Sequence, residues 1–288
     1  MMEIDNAIIL AAGYSSRFVP LCFDFPKGLI PVFGETLIER QIRQLHEVGI
    51  TDITVVTGAF ADKFDFLKSK CNLVFNKDFP IKNNYASLFA AKNELGNTAI
   101  SSCDLYFPHN IFQKVIDHPY FFSVYVQGKT MQRTLQTDKF GRIIATKYGG
   151  ENCWITFGGH ACFSKEVSQK IISLITPVYD DPKYTNKYWV DFYDEHLREI
   201  TMYIKKGNKN DIVEFNSLDT LRKFDPTFSA IKFSPTMCNI CHQLKANENE
   251  LSNFRPQKDI TRVIGCFFDF KNKTYFYNNK SGDVIALW

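Results

Sequence analysis

No run of basic residues longer than Lys205-Lys206 occurs in the 288-residue chain, and the net charge is only +3. A nucleic-acid partner needs a concentrated basic face, so none is expected. An uninterrupted apolar stretch of about 18 residues is also missing, so no membrane-spanning helix and no membrane partner are expected. The opening Met1-Met2-Glu3-Ile4-Asp5 is acidic and leads straight into an apolar run, unlike a secretory leader. The eight cysteines are therefore expected to be reduced thiols of a cytoplasmic chain. Neither GxxxxGK[ST] nor GxGxxG fits the spacing, which excludes the two commonest phosphate loops. Cys238-x-x-Cys241-His242 has the pattern of a haem attachment site, but that chemistry needs export. A zinc site would need a second ligand pair, and no further C-x-x-C or H-x-x-x-H lies nearby. The two thiols are read as small apolar groups at i and i+3, facing a core.

What is present is an ordinary globular composition, 45% hydrophobic, with aromatics raised to 15% by 27 Phe. The length suits one large α/β domain plus a small appendage. The run Ala7 to Ala11 reads as a short buried strand. The loop after it opens with Gly13, carries Ser15 and Ser16, and holds Arg17 and Lys27. A loop at the carboxyl end of a first strand is where α/β sheets place phosphates. Small residues let backbone N–H groups approach an anion, and two cations neutralise it.

Further along, Thr36 and Glu39 form a capping box for a helix with Ile38, Ile42, Leu45 and Val48 on one face, ended by Gly49. Ile53 to Thr57 follows as a strand, so a right-handed βαβ unit and a parallel sheet are expected. A short helix within 58–70, a strand from Leu73 to Phe75, and a helix opened by Asn84 and Ser87 and running to Leu95 come next. Asn84 and Ser87 could cap that helix. Thr98 to Cys103 is a strand with Asp104 at its carboxyl end, where it could bind a metal or cap a helix from His109 to His118. From Phe121 the pattern turns to short antiparallel strands, Phe121–Val126, Arg142–Lys147 and Trp154–Cys162, with turns at Gly141 and Gly149-Gly150. Ser164 opens a helix to Ile175, and a later helix carries Tyr188, Trp189, Asp191, Tyr193 and Asp194. Aromatics beside carboxylates could hold a cationic amine, or could be a core and a solvated face. In a strand over Asp211 to Phe215, Glu214 and then Asn216 project on one face, so both could reach one ion with Asp104.

Leu10-Ala11-Ala12-Gly13-x-x-x-Arg17-x-x-Pro20, then Pro26-Lys27, resembles the signature of the nucleotidyltransferases that join a nucleoside triphosphate to a phosphorylated small molecule. Many members carry a second Gly where this chain has Ser15. Asn76-x-x-Phe79, Asn83-Asn84-Tyr85-x-Ser87-Leu88, Phe122-Ser123-Val124-Tyr125 and Val190-Asp191-x-Tyr193 are similar to segments of bacterial choline-phosphate cytidylyltransferases. The resemblance covers residues 6 to about 225. It implies a Rossmann-like α/β fold with a mixed, mostly parallel sheet flanked by helices over 1–225, and a small α+β extension over 226–288. It implies CTP and a phosphorylated amino-alcohol as substrates and magnesium as cofactor. Leu10 to Gly13, Asn84 and Ser87 would bind the nucleotide. Arg17 would hold the β- and γ-phosphates, and Lys27 would bridge the attacking phosphate and the α-phosphate. Asp104, Glu214 and Asn216 would hold the metal, with Asn216 standing where the family has Asp. Lys27, Tyr188, Trp189, Asp191 and Arg133 would contact the acceptor. At Met131 to Leu135 an aromatic for a quaternary ammonium is expected, and Gln132 and Arg133 stand there instead, leaving Trp154 or Trp189 to supply the ring.

Other phosphorylated or phosphonylated amines and a sugar 1-phosphate stay open as acceptors, as does a non-catalytic nucleotide-binding module. The tail resembles the opening of a choline-kinase-like fold: a helix, Arg255-Pro256-x-Lys258, Thr261, and a hairpin around Lys271-Asn272-Lys273. It is too short to hold a kinase's lobes, so it is expected to pack on the main domain or to pair subunits as a homodimer, without phosphotransfer of its own.

Overall fold

The structure is a computed structural model, described here for residues 1–156, 159–259 and 262–287. The elements that matter below are, in chain order, β1 Asn6–Leu10, α1 Leu37–Glu47, β2 Asp52–Thr57, β3 Asn72–Phe75, α2 Tyr85–Ala90, β4 Thr98–Ser102 and β5 Leu105–Tyr106. They continue with β6 Tyr120–Thr137, β7 Ile143–Thr156, β8 His160–Phe163, α3 Lys165–Ile175, α4 Trp189–Glu195, β9 Tyr203–Gly207, β10 Val213–Glu214 and α5 Leu218–Phe224. The chain closes with α6 Pro235–Leu244 and the strands β11 Ser252–Lys258, β12 Val263–Phe270, β13 Lys273–Asn278 and β14 Val284–Ala286. Among the described residues no helix is long and apolar enough to cross a membrane.

The chain divides into two compact units: Met1–Gly13 with Glu39–Glu214, and Tyr14–Ile38 with Phe215–Trp288. This differs from the division expected at residue 225. The reason is local to the second unit, where the segment after β1 and the tail bind each other. Asp225 accepts the Phe33 N–H at 2.7 Å, Asp24 accepts Thr236 N–H and Oγ1–H at 3.2 and 3.0 Å, and the Phe33 and Phe224 rings lie 5.6 Å apart.

In the first unit an eight-stranded sheet runs in the order β7-β6-β8-β4-β1-β2-β3, with β9 beside β6. β1 is parallel to β2 and β4, β2 to β3, and β6 to β9, whereas β8 and β7 run antiparallel to their neighbours. The run of buried Ala7 to Leu10 suits a strand covered on both faces. Register sets Leu10 opposite both Val56 and Ser102, so three parallel strands end level with one another. Ile8, Leu10, Val56, Ile100, Phe121, Phe163 and Trp189 form the core under that edge. Burying one such large side chain stabilises the fold by roughly 1.5–3 kcal/mol.

Several expectations are corrected. Residues 109–118 form no helix, so Asp104 has none there to cap. Asn110 folds the chain by accepting the Phe112 N–H through its side chain, and Val115–Ile116 pairs with Met2–Glu3. Gly149-Gly150 lies inside β7 rather than in a turn, because the strands are long and bend back so that Arg133 faces both Tyr148 and Thr156. Of the strand expected from Trp154 to Cys162, Phe157 and Gly158 lie outside the described residues, as does Thr261 of the tail. Cys241 is buried but Cys238 is exposed, so only one of the pair faces a core.

The second unit carries α5, α6 and a four-stranded antiparallel sheet, β11-β12-β13-β14. Lys271 and Asn272 both take positive φ, as a two-residue hairpin matched to strand twist requires. Ser234 caps α6 by accepting the Met237 N–H, ahead of Pro235 in the first helical turn.

Candidate active site

The level ends of β1, β2 and β4 are stitched together by backbone hydrogen bonds. Ala11 N–H donates to Val56 O at 2.8 Å, Ala59 N–H to Ala12 O at 3.0 Å, and Cys103 N–H to Leu10 O at 3.0 Å. A Cβ on Gly58 would lie 2.6 Å from Ala12 O, so this close approach admits only glycine. Leu10, Ala11 and Ala12 are buried, whereas Gly13 is exposed and a Cβ added there would meet nothing within 4 Å. Packing therefore does not demand glycine at 13. What glycine provides there is open backbone at the carboxyl end of a parallel strand.

Asp104 sits in the turn between β4 and β5, with β10 antiparallel to β5 and Glu214 opposite Leu105. This brings a second carboxylate residue beside the Asp104 turn. The turn is clasped from α1 by Gln41, a residue with no exposed surface. Its amide donates to Ser102 O at 2.9 Å and Leu105 O at 2.8 Å, and its carbonyl accepts from Ser101 Oγ at 2.7 Å. Sequence reading missed Gln41, although a glutamine among Ile38, Ile42 and Leu45 on a buried helix face was a visible signal.

Neither Asn84 nor Ser87 caps α2: Asn84 stands at its N-cap without a side-chain cap bond among the described residues. Asn84 Oδ1 accepts the Trp189 N–H at 2.9 Å, tying the α2 loop to the start of α4, and Ser87 Oγ accepts from the Asn76 amide at 3.1 Å.

The acceptor candidates fall into two groups. Trp189 is only 2% exposed and stacks on Phe121 at 5.3 Å, so its ring belongs to the core. Tyr188 caps α4 and is about half exposed. Arg133, with a side chain 7% exposed, pairs with both Asp191 and Asp194. Its guanidinium lies 4.5 Å from the Tyr148 ring centroid and donates to Tyr148 Oη at 2.7 Å. Asp191 also accepts the Tyr188 N–H at 2.7 Å. Tyr148 was not foreseen, because its place opposite Arg133 follows from strand register.

In the second unit, Ser15 has φ +55°, the left-handed region, at the position where many family members carry glycine. Its hydroxyl accepts the Lys27 N–H at 3.2 Å, so the strained residue also holds the lysine's backbone. Lys27 is buried with Nζ 5.6 Å from the Phe18 ring, and Arg17 is exposed. The side-chain oxygen of Asn216 is buried and has no hydrogen-bond donor among the described residues. His160 is wholly buried in the first unit; burial pushes its ring down to about 4, against a smaller opposing pull from Ile100 O. Among the described residues no group of three or more His, Cys, Asp or Glu could hold a metal.

Residues 7–160 match the model of the MobA-like NTP transferase domain. The chain is 31% identical over 234 residues to the choline-phosphate cytidylyltransferase of Streptococcus pneumoniae, covering 76% of this chain and 96% of that protein. It is 30% identical over 229 residues to the 2-aminoethylphosphonate cytidylyltransferase of Lancefieldella rimae, covering 77% and 93%. The solved CTP:phosphocholine cytidylyltransferase from Streptococcus pneumoniae superposes with a TM-score of 0.73 at 31% identity, over 78% of this chain and 99% of that one.

Proposed function

The chain belongs to the MobA-like NTP transferase family and is a nucleotidyltransferase, and from that premise we propose that it condenses CTP with phosphocholine or a similar phosphorylated amino-alcohol. The products are a CDP-linked compound and pyrophosphate. An acceptor phosphate oxygen attacks the α-phosphorus of CTP; a new P–O bond forms as the bond to the β-phosphate oxygen breaks, and pyrophosphate leaves with that electron pair. No covalent enzyme intermediate is required, so catalysis rests on positioning and charge neutralisation. Leu10 to Gly13 line the nucleotide site, with Gly13 offering open backbone there while the Ala11 N–H is held by Val56 O. Arg17 neutralises the departing β- and γ-phosphates, and Lys27 draws the attacking phosphate to the α-phosphate.

Asp104, Glu214 and Asn216 suit magnesium, which prefers oxygen donors and tolerates few protein ligands. One feature supports that fit: the pairing of Glu214 with the residue after Asp104. When bound, magnesium adds positive charge at the phosphate oxygens. Asn216 brings oxygen but no charge, so a weaker metal affinity is expected than with a third carboxylate. The chain acts in the cytoplasm in this reading.

The observation that carries the proposal is the antiparallel pairing of Glu214 with Leu105, the residue that follows Asp104. The test is pyrophosphate release from CTP and magnesium with phosphocholine, phosphoethanolamine or glucose 1-phosphate, with and without EDTA. Release with an amine phosphate, abolished by EDTA, is expected. Silence with every acceptor would make the chain a non-catalytic nucleotide-binding module, and release with glucose 1-phosphate alone would move it to the sugar-phosphate enzymes.

A further inference from the structure

Except for the half-exposed Tyr188 and the enclosed Trp189, the aromatic and acidic groups expected to receive the acceptor's ammonium already hold cations of the protein. Arg133 lies against the Tyr148 ring and pairs with Asp191 and Asp194. The other ring considered for this role, Trp154, carries the Lys206 ammonium at 5.5 Å from its centroid and meets Tyr125 edge-on at 5.4 Å. Trp189 is enclosed in the core. The cluster is tied to the α2 loop, because Asn84 Oδ1 accepts the Trp189 N–H two residues before Asp191.

A quaternary ammonium has no N–H to donate and is recognised chiefly by ring faces. A primary ammonium carries three donors and is recognised by oxygen acceptors. With Arg133 in place, Asp191 and Asp194 still outnumber it by one negative charge, and their side chains remain 23% and 20% exposed. Lys187, which also feels Asp191, shares Glu195 with Lys183, so the wider cluster is balanced in charge. The site thus offers carboxylate lone pairs, while the ring faces of Tyr148 and Trp154 are already used by cations and Trp189 is enclosed.

Resting on the cytidylyltransferase reading, we propose that Arg133 excludes quaternary ammonium acceptors and that the acceptor is a phosphorylated or phosphonylated primary amine. Asp191 and Asp194 accept its N–H groups, and Arg133 is the residue that sets the choice.

The test compares kcat/KM for phosphoethanolamine, 2-aminoethylphosphonate and phosphocholine with the full chain, CTP and magnesium. The wild type is expected to favour a primary amine by at least about 10-fold, the scale of a lost ring contact for the quaternary group. Arg133→Ala should narrow or invert that ratio, while Arg133→Lys should keep most of it. Equal or better turnover of phosphocholine by the wild type would overturn the proposal while leaving the cytidylyltransferase reading intact. No turnover of any amine phosphate would sink both. The wild-type ratio decides the matter even if Arg133→Ala fails to fold.

Discussion

Replacing Asp24 by alanine tests how the second unit holds the loop that carries Lys27. Asp24 accepts from Ser234 Oγ, from Thr236 N–H at 3.2 Å and from Thr236 Oγ1 at 3.0 Å. Ser234 is wholly buried and Thr236 nearly so. Hydrogen bonds to a charged group contribute about 1.5–3 kcal/mol each, and three on one carboxylate are not additive. Ser234 keeps part of its role, because it still accepts the Met237 N–H at 3.1 Å. A loss of about 3 kcal/mol is therefore expected for Asp24→Ala. For a chain of this size that corresponds to roughly 6–12 °C in Tm. Asp24→Asn keeps one acceptor oxygen without the charge and should lose about half as much. Thermal unfolding followed by circular dichroism measures both variants. At a temperature where Asp24→Ala is still folded, its turnover should also fall, since Lys27 lies in the next turn of the same loop. A midpoint within about 1 °C of wild type would refute the reasoning, because the buried donors of Ser234 and Thr236 would then have found other partners without loss.

Two further outcomes are expected. Lys27→Ala should cut turnover by at least ~100-fold, the scale of one preorganised charge contact, and near-normal steady-state rates in that variant would remove Lys27 from the mechanism. His160, pushed to about 4 by burial, binds fewer protons folded than unfolded between there and its ordinary 6.5. Stability should therefore fall as pH drops through that window, by about 3 kcal/mol in all at 1.36 kcal/mol per unit. Urea unfolding of wild type and His160→Gln across pH 4–7 should show the wild type alone losing that increment; parallel profiles would count against a neutral buried ring.

The strand Ala7 to Ala11, the helix ended by Gly49, the cap at Ser164 and the Lys271-Asn272 turn were legible because each follows from contacts a few residues apart. The absence of a helix over 109–118 was not legible, since an Asn110 side-chain turn and pairing with the N-terminal residues outweighed local propensity. Ser15 is an instructive departure. Its positive φ explains the glycine common at that position, and its hydrogen bond to Lys27 N–H explains how a serine serves there.

Trp189 and Arg133 show the limit most clearly. Both looked like acceptor contacts from residue type and neighbourhood, yet one ring is packed on Phe121 and the guanidinium is held by two carboxylates. From its residues alone, the chain declares a small-residue loop with two cations after its first strand, an α/β alternation and a strand-end aspartate, because backbone sterics and hydrophobic period act over short spans. Tertiary structure alone decided that Glu214 lies opposite Leu105, that Gln41 clasps the Asp104 turn, that Arg133 answers Asp191 and Asp194, and that the Lys27 loop folds with the tail. Those pairings depend on strand register and on which buried polar groups can satisfy one another, and no local window of sequence contains either.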